Sequence, residues 1–398
     1  MIDRRTLLTT TAKLTLLAPF ARIAHAVADA EARFVLVILR GGLDGLAAVP
    51  PYGEPQYANL RGDLALGASG GADGVLDLDG LFGLHPALTN MHAMYKSREL
   101  AVLHAVATPY RERSHFDGQN VLENGGLTAN ASTNGWLNRA LQALENDGNP
   151  RDAVALAESI PLVLRGEFAV NAWAPSRLPD ADEDTLARVR AMYLATDPVL
   201  AQRLEDALGA RELVGDESTP QRMGAAGRGA QQVGPLVTAA ARFLASEAGP
   251  RVAVIDVGGW DTHANQGGAQ GALALRLRGL DTGLQMFKTE LGAVWQHTSV
   301  LIVTEFGRTV AVNGTRGTDH GTAGCAFLAG GAVAGGRVIA DWPGLGTRDL
   351  HEGRDLRATT DLRGVFKGVL ADRFGLAEST LEEAVFPDSA AVPPLAVL

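Results

Sequence analysis

The sequence predicts an α/β fold, a mostly parallel sheet sandwiched between helices, and three observations carry that expectation. Four continuous apolar runs, Phe34 to Leu39, Leu100 to Ala107, Arg251 to Val257 and Ser299 to Thr304, lack polar alternation, as strands buried on both faces do. Between them lie stretches whose apolar residues recur at helical spacing. Each run also opens into a polar or Gly-rich loop, and in such sheets the functional loops lie at the carboxyl ends of the strands.

The first strand ends at Gly41-Gly42. Residues 50–80 are rich in Gly, Ala, Asp and Pro and read as loop. Within them, Gly67-Ala68-Ser69-Gly70-Gly71 matches the serine-hydrolase elbow pattern, but no helix pattern follows it, so the match reads as chance. Leu84-His85-Pro86 opens a helix with Pro86 in its first turn, and Leu88, Met91 and Tyr95 give it an apolar face. After the second strand, Ser114 with Asp117 three residues on forms an N-cap signature. Residues 134–147 read as a helix and Pro161 to Val170 as a short β pair. Residues 180–230 are charged and helical, then Gly-rich, and are the expected insertion or lid. Helices follow over Gln231 to Glu247 and Ala272 to Trp295, the sheet resumes at Ala326 to Gly331, and Asp361 to Phe374 is the last helix.

Of the 398 residues, 46% are hydrophobic and 20% charged, as in ordinary globular proteins, and the net charge is −10. That balance argues against nucleic acid as a partner, because phosphate neutralisation needs a basic face. The one cysteine, Cys325, excludes an intramolecular disulfide and a Cys-rich metal site. Residues 1–26 read as a twin-arginine signal peptide: Arg4-Arg5 precede a mildly apolar stretch, and Ala24-His25-Ala26 supplies small residues for cleavage. No transmembrane segment is expected after cleavage. The expectation is a partner in the twin-arginine translocase during export, a periplasmic or otherwise exported location, and one domain over 27–398.

Three loops hold the chemistry. Gly317-Thr318-Asp319-His320-Gly321 lies after the strongest strand, which runs into Glu305-Phe306-Gly307-Arg308. Gly258-Gly259-Trp260-Asp261-Thr262-His263 follows the third strand, and Asp44 follows the first. Singly, an Asp after a strand commonly caps a helix, and a lone His is usually structural. Together they predict a metal site built from Asp44, Asp261, His263, Glu305, Asp319 and His320. Mixed Asp/His donors suit one or two divalent ions, Zn, Mn or Fe rather than Mg or Ca. Ser114, at a helix start, is placed as a nucleophile would be. Arg111, Arg113 and His115 beside it are candidate substrate-binding residues, and Arg308 is positioned to balance an anion's charge. His85 and His115 are spare ligands, whereas His92, His104 and His297 read as structural.

The ordered motifs RGGLDG, LHPAL, RSHFDGQ, GGWDTHANQ, TEFGRT and TDHGTAG, behind a twin-arginine leader, resemble the domain-of-unknown-function family 1501 from about Phe34 to Phe374. That family is grouped with the alkaline phosphatase and sulfatase superfamily. The resemblance implies an alkaline phosphatase-like fold, two metal sites and a Ser or Thr nucleophile attacking phosphorus or sulfur in an anionic small-molecule or polymer ester. By that resemblance Asp44 ligates the second metal, Ser114 is the nucleophile, and Asp261 with His263 serves the first metal. Two assignments stay open for the superfamily's late Asp-His pair. Either Asp319-His320 is that pair, or Glu305 takes the acid's place and His320 completes the first site. Neither Cys325 nor Ser114 is followed by the Pro and Arg that formylglycine formation needs.

Overall fold

The computed structural model describes residues 31–71, 73–144, 153–175, 181–214 and 233–398; the leader expected over 1–26 lies outside them. The main sheet contains β1 (Arg33–Leu39), β4 (Leu100–Ala107), β5 (Ala153–Leu156), β6 (Asn171–Trp173), β7 (Val252–Val257), β8 (Thr298–Val303), β9 (Gly324–Ala329), β10 (Arg337–Ile339) and β11 (Thr360–Asp361). A separate hairpin is formed by β2 (Leu76–Asp77) and β3 (Gly83–Leu84). The order across the sheet is β10-β4-β9-β8-β1-β7-β5-β6, with β11 also pairing β4. All of these pairs are parallel except those of β9, which is antiparallel to both β4 and β8.

The uninterrupted apolar runs have their cause in the core. In β1, Val35, Val37 and Leu39 join one buried cluster, and Phe34, Leu36 and Ile38 join another on the opposite face. The first face is covered by the helices Thr89–Lys96, Val233–Ala245 and Ala272–Leu291, and the second by Trp136–Ala143 and Leu362–Phe374. A strand buried on both sides has no solvent face on which to place polar residues.

Three sequence readings are corrected. Pro161 to Val170 is not a β pair: Leu164 and Arg165 donate to the carbonyls of Pro161 and Leu162, closing a 3₁₀ turn over Leu162–Leu164. The strands of that region are β5 and β6 on either side of it. The helix expected to open at Pro86 begins at Thr89 instead, after a turn in which the Leu88 N–H donates to His85. The helix from Ala272 stops at Leu291, where Gly292 adopts φ +53°, and continues only as a 3₁₀ turn. In the expected insertion, Glu183–Thr196 and Pro198–Val214 are helices, and residues 215–230 lie outside the described set. Ser69 sits in a loop closed by a Gly67–Gly74 bridge, without the strand and helix an elbow needs.

His104, on β4, is fully buried; its Nε2 lies 3.0 Å from the Val49 carbonyl, and its Nδ1 accepts from the Ala105 N–H. Burial pushes its pKa down from 6.5 to about 4, against the raising effect of its backbone partners. The folded ring therefore stays neutral over an interval in which the unfolded residue takes a proton. The stability this represents is full above about pH 6.5 and is lost as pH falls towards 4. Across that window the loss is about 3 kcal/mol. Denaturant titration at pH 7 and pH 4.5 should show wild type losing more stability on acidification than His104→Gln. Equal losses would contradict this assignment.

Candidate metal centre

Strands β1, β4, β7 and β8 run the same way, so their carboxyl ends share one edge of the sheet. From that edge start the loops carrying Asp44, Ser114–His115, Asp261–His263 and Glu305–Arg308. β9 runs the other way, which puts its beginning at the same edge, and His320 lies four residues before it. The loops approach one another closely. Gly41 has φ +121°, and a Cβ there would stand 2.6 Å from the Asp261 nitrogen. A Cβ on Gly317 would stand 2.3 Å from the His263 carbonyl oxygen, so only glycine lets this loop lie against the Asp261–His263 segment.

His115, Asp261 and His320 each offer a ligand atom, all within 4.8 Å of one another. The hydrogen bonds at the far side of each ring fix which nitrogen faces inward. His320 Nδ1 lies 2.8 Å from the Arg113 carbonyl, which can only accept, so this nitrogen carries the proton and Nε2 presents its lone pair. His115 Nδ1 lies 2.8 Å from Glu305 Oε1, leaving its Nε2 buried and without a hydrogen-bond partner. That nitrogen is 3.4 Å from Asp261 Oδ2, but not in line for a hydrogen bond. His263 Nδ1 is 3.2 Å from Asp319 Oδ1, and its Nε2 stands 2.9 Å from His320 Nε2 and 3.0 Å from Asp261 Oδ1. With both Nδ1 atoms donating, two neutral rings would set lone pairs against each other across that 2.9 Å. A cation held on His320 Nε2 would relieve that repulsion, with His263 beside the three-residue group rather than in it.

The shifts of Asp261 and His320 favour their metal-binding forms, whereas that of His115 favours its protonated form in the metal-free site. Burial pushes the Asp261 carboxyl up, but Arg308, His263 and His115 outweigh it and hold it below the usual range. The hydrogen bond from His115 to Glu305 raises the His115 pKa, and burial lowers that of His320. Phe306, itself buried, lies under the rings of His115 and His320 with centroids at 4.9 and 5.0 Å. Two imidazoles and a carboxylate, with oxygen partners fixing the rings, fit a divalent ion of the Zn, Mn or Fe kind, and three protein ligands leave room for water or substrate.

The other expected ligands stand elsewhere. Asp44 is fully buried, caps the short helix Gly45–Ala48, and is ion-paired with Arg61 and hydrogen-bonded by Gln266 at 2.7 Å. It is therefore neutralised within the protein, apart from the His115–Asp261–His320 group. Glu305 accepts from His115, from Gln119 at 3.0 Å and from the Gly41 N–H at 2.8 Å, so it orients His115. Asp319 holds His263 and accepts from Asn313 at 2.9 Å.

The arginines are occupied too. Arg308, read from the sequence as a charge balance for an anion, is buried with its guanidinium on Asp261 and on the carbonyls of Gly41, Gly42, Trp260 and Thr318. It ties the loops together. Arg111 donates to the Thr108 and Tyr110 carbonyls, and Arg113 pairs with Asp355 and Glu352. Arg113 also has φ +65°, a strained conformation that those two ion pairs hold, at the residue whose carbonyl meets His320. Ser114 sits between that carbonyl and His115 as N-cap of the helix His115–Asn124, with no side-chain capping bond. His85, the other spare ligand, lies with its Nε2 3.0 Å from the Gly268 carbonyl and its Nδ1 accepting from the Ala87 N–H, outside the His115–Asp261–His320 group.

Sequence reasoning passed over Gln119, Asn313 and Phe306. Gln119 had a signal, standing one helical turn beyond His115 and so on the same face. Glu305→Gln is expected to lower metal affinity by about ten- to a hundredfold, because the His115 Nδ1 proton loses its carboxylate. Calorimetric titration with Zn²⁺ checks it; unchanged affinity would take Glu305 out of the centre.

Fold and site together define an α/β protein with a candidate His/Asp metal centre at the carboxyl edge of a mostly parallel sheet. The chain belongs to the family described as "Protein of unknown function (DUF1501)", whose model matches residues 86–385. The comparison with curated proteins finds no match. Among solved structures, it is similar to the phosphonate monoester hydrolase of Agrobacterium radiobacter, at 11% identity over 87% of this chain and 74% of that one, TM-score 0.39. It is also similar to the lipoteichoic acid synthase LtaP from Listeria monocytogenes, at 9% identity over 91% and 76%, TM-score 0.40. A third is the C-terminal periplasmic domain of EcEptC from Escherichia coli in complex with Zn, at 10% identity over 75% and 73%, TM-score 0.36.

Proposed function

We propose that this chain is an exported, metal-dependent hydrolase of phosphate or sulfate esters with Ser114 as its nucleophile. The observation that carries the reading is the convergence of bare His115 and His320 Nε2 atoms with the Asp261 carboxylate, each ring fixed by an oxygen at its other nitrogen. A bound divalent ion supplies Lewis acidity towards an ester oxygen and a lowered pKa for a nearby hydroxyl. The protein's part is to hold and orient. Glu305 and the Arg113 carbonyl keep the rings in one tautomer, and Phe306 closes the floor against water. Ser114 has a hydroxyl free of capping duty at the N-terminus of a ten-residue helix, where backbone N–H groups favour an arriving anion.

Mature protein loaded with Zn²⁺, Mn²⁺ or Fe²⁺ should hydrolyse at least one of p-nitrophenyl phosphate, bis(p-nitrophenyl) phosphate and p-nitrophenyl sulfate. Chelation should stop the reaction, and metal should restore it. One observation favours a second reading, a non-catalytic exported metalloprotein. Asp44 is neutralised by Arg61, and Arg111, Arg113 and Arg308 are engaged inside the protein, which leaves few cations for a substrate anion. Bound metal without turnover of any of the three esters would support that reading. Export by the twin-arginine route rests on Arg4-Arg5 and the short leader, and a lid role for 180–230 on its place in the sequence; an Arg4→Lys, Arg5→Lys precursor that still exports would refute the route.

A further inference from the structure

The charges around the His115–Asp261–His320 group restrict which ester it can take. Asp44 is the residue that would serve a second ion, and a cation of the protein already stands on it. Its carboxylate meets the Arg61 guanidinium, and both side chains are fully buried. Arg61 Nη1 is held in turn by the Thr309 and Val310 carbonyls, at 3.2 Å each. Gln266, also buried, donates to Asp44 Oδ2 at 2.7 Å, while its Oε1 accepts from the Thr262 and Thr318 hydroxyls at 2.8 and 2.9 Å. A divalent ion on Asp44 would displace a buried guanidinium and leave it without its carboxylate, which a dry interior penalises heavily. The second ion that the family resemblance implies therefore does not fit these residues.

Nearer the three ligands, the described charges largely pair off. Asp261 is matched by Arg308, and the buried Asp355 by Arg113. Behind Gln119, Arg40 is held between Glu123 and Asp256 and adds no positive charge. Glu305 meets no cationic side chain once His115 is a neutral ligand, because its other donors are Gln119 and the Gly41 N–H. Asp319, Glu352 and Arg354 stand about half exposed, where water and salt screen them. One divalent ion on His115, Asp261 and His320, set against Glu305, gives the centre about one net positive charge. Attraction to such a centre grows in proportion to an anion's charge, whereas the cost of taking the anion out of water grows with its square. A single negative charge is matched there; a second would enter unpaired. A phosphate monoester carries about two negative charges at pH 8, while a phosphodiester or a sulfate monoester carries one.

We propose that the site takes singly charged esters, a phosphodiester or a sulfate monoester, in preference to phosphate monoesters. The proposal rests on the ester-hydrolase reading and adds the substrate class to it. Hydrolysis consumes one water: the P–O or S–O bond to the alcohol breaks, the alcohol leaves with a proton, and the acid keeps the water's oxygen. The test uses Zn²⁺-loaded protein at pH 8. Zinc is counted by elemental analysis, and kcat/KM is measured on p-nitrophenyl phosphate, methyl p-nitrophenyl phosphate and p-nitrophenyl sulfate. Wild type should hold one zinc per chain, and at least one singly charged ester should exceed p-nitrophenyl phosphate by about tenfold or more in kcat/KM. The diester and sulfate arms tell which of the two it is. Asp44→Asn, Arg61→Met, which replaces the buried pair by neutral side chains, should keep the single zinc; if that variant does not fold, the wild-type zinc count decides. More than one zinc per wild-type chain, or p-nitrophenyl phosphate turned over within tenfold of both singly charged esters or faster, would overturn the charge match and leave the hydrolase reading standing. No turnover of any of the three would overturn both.

Discussion

Replacing His320 with alanine is expected to lower affinity for Zn²⁺ by at least about a hundredfold, more than loss of an orienting partner costs. The ring is central to the arrangement: its Nε2 stands 2.9 Å from His263 Nε2 and 3.3 Å from Asp261 Oδ1, and its Nδ1 is committed to the Arg113 carbonyl. His263 Nε2 stands beside it but lies outside the His115–Asp261–His320 group. The same substitution removes a ring packed edge-on to His115 and tilted over Phe306, so the folded state needs its own check. Calorimetric titration combined with thermal unfolding of the metal-free protein separates the effects. Zn²⁺ affinity within a few fold of wild type in a folded variant would exclude His320 as a ligand.

Ser114→Ala is expected to reduce ester turnover by about a thousandfold or more while leaving metal content intact. The residue's backbone is fixed on both sides, through the Arg113 carbonyl at His320 and the His115 ring at Glu305, and its N–H donates to Tyr110 Oη at 3.0 Å. Its side chain makes no capping bond, so its loss should cost the helix little. Single-turnover kinetics beside metal analysis check this. Undiminished turnover would remove Ser114 from the reaction. Loss of metal together with turnover would assign it a place in holding the centre.

The central strands were legible because burial on both faces leaves short, uninterrupted apolar runs bounded by turn residues, whereas the short strands β5, β6, β10 and β11 were not. Phe34 to Leu39 and Ser299 to Val303 are apolar at nearly every position because helices cover each side. The convergence of the loops was legible for the same reason, since strand ends imply a shared edge. Individual roles were not. Asp44 and Asp261 are the same residue type in matching loops, yet one is paired with Arg61, seventeen positions on at the end of the short helix Tyr57–Arg61, and the other faces three imidazoles. Whether Glu305 or Asp319 binds a metal or fixes a ring depends on shifts of an ångström or two, which residue type does not encode. Arg308 shows the same limit. A conspicuous cation after a strand turned out to hold carbonyls of three loops.

The central claim is that His115, Asp261 and His320 hold one divalent ion, while Asp44 stays with Arg61. An anomalous-difference map from crystals of the Zn²⁺-loaded protein tests it most directly. The account predicts a peak in contact with His115 Nε2, His320 Nε2 and an oxygen of Asp261, with none at Asp44. A peak on Asp44, or zinc bound without these three residues, would contradict it.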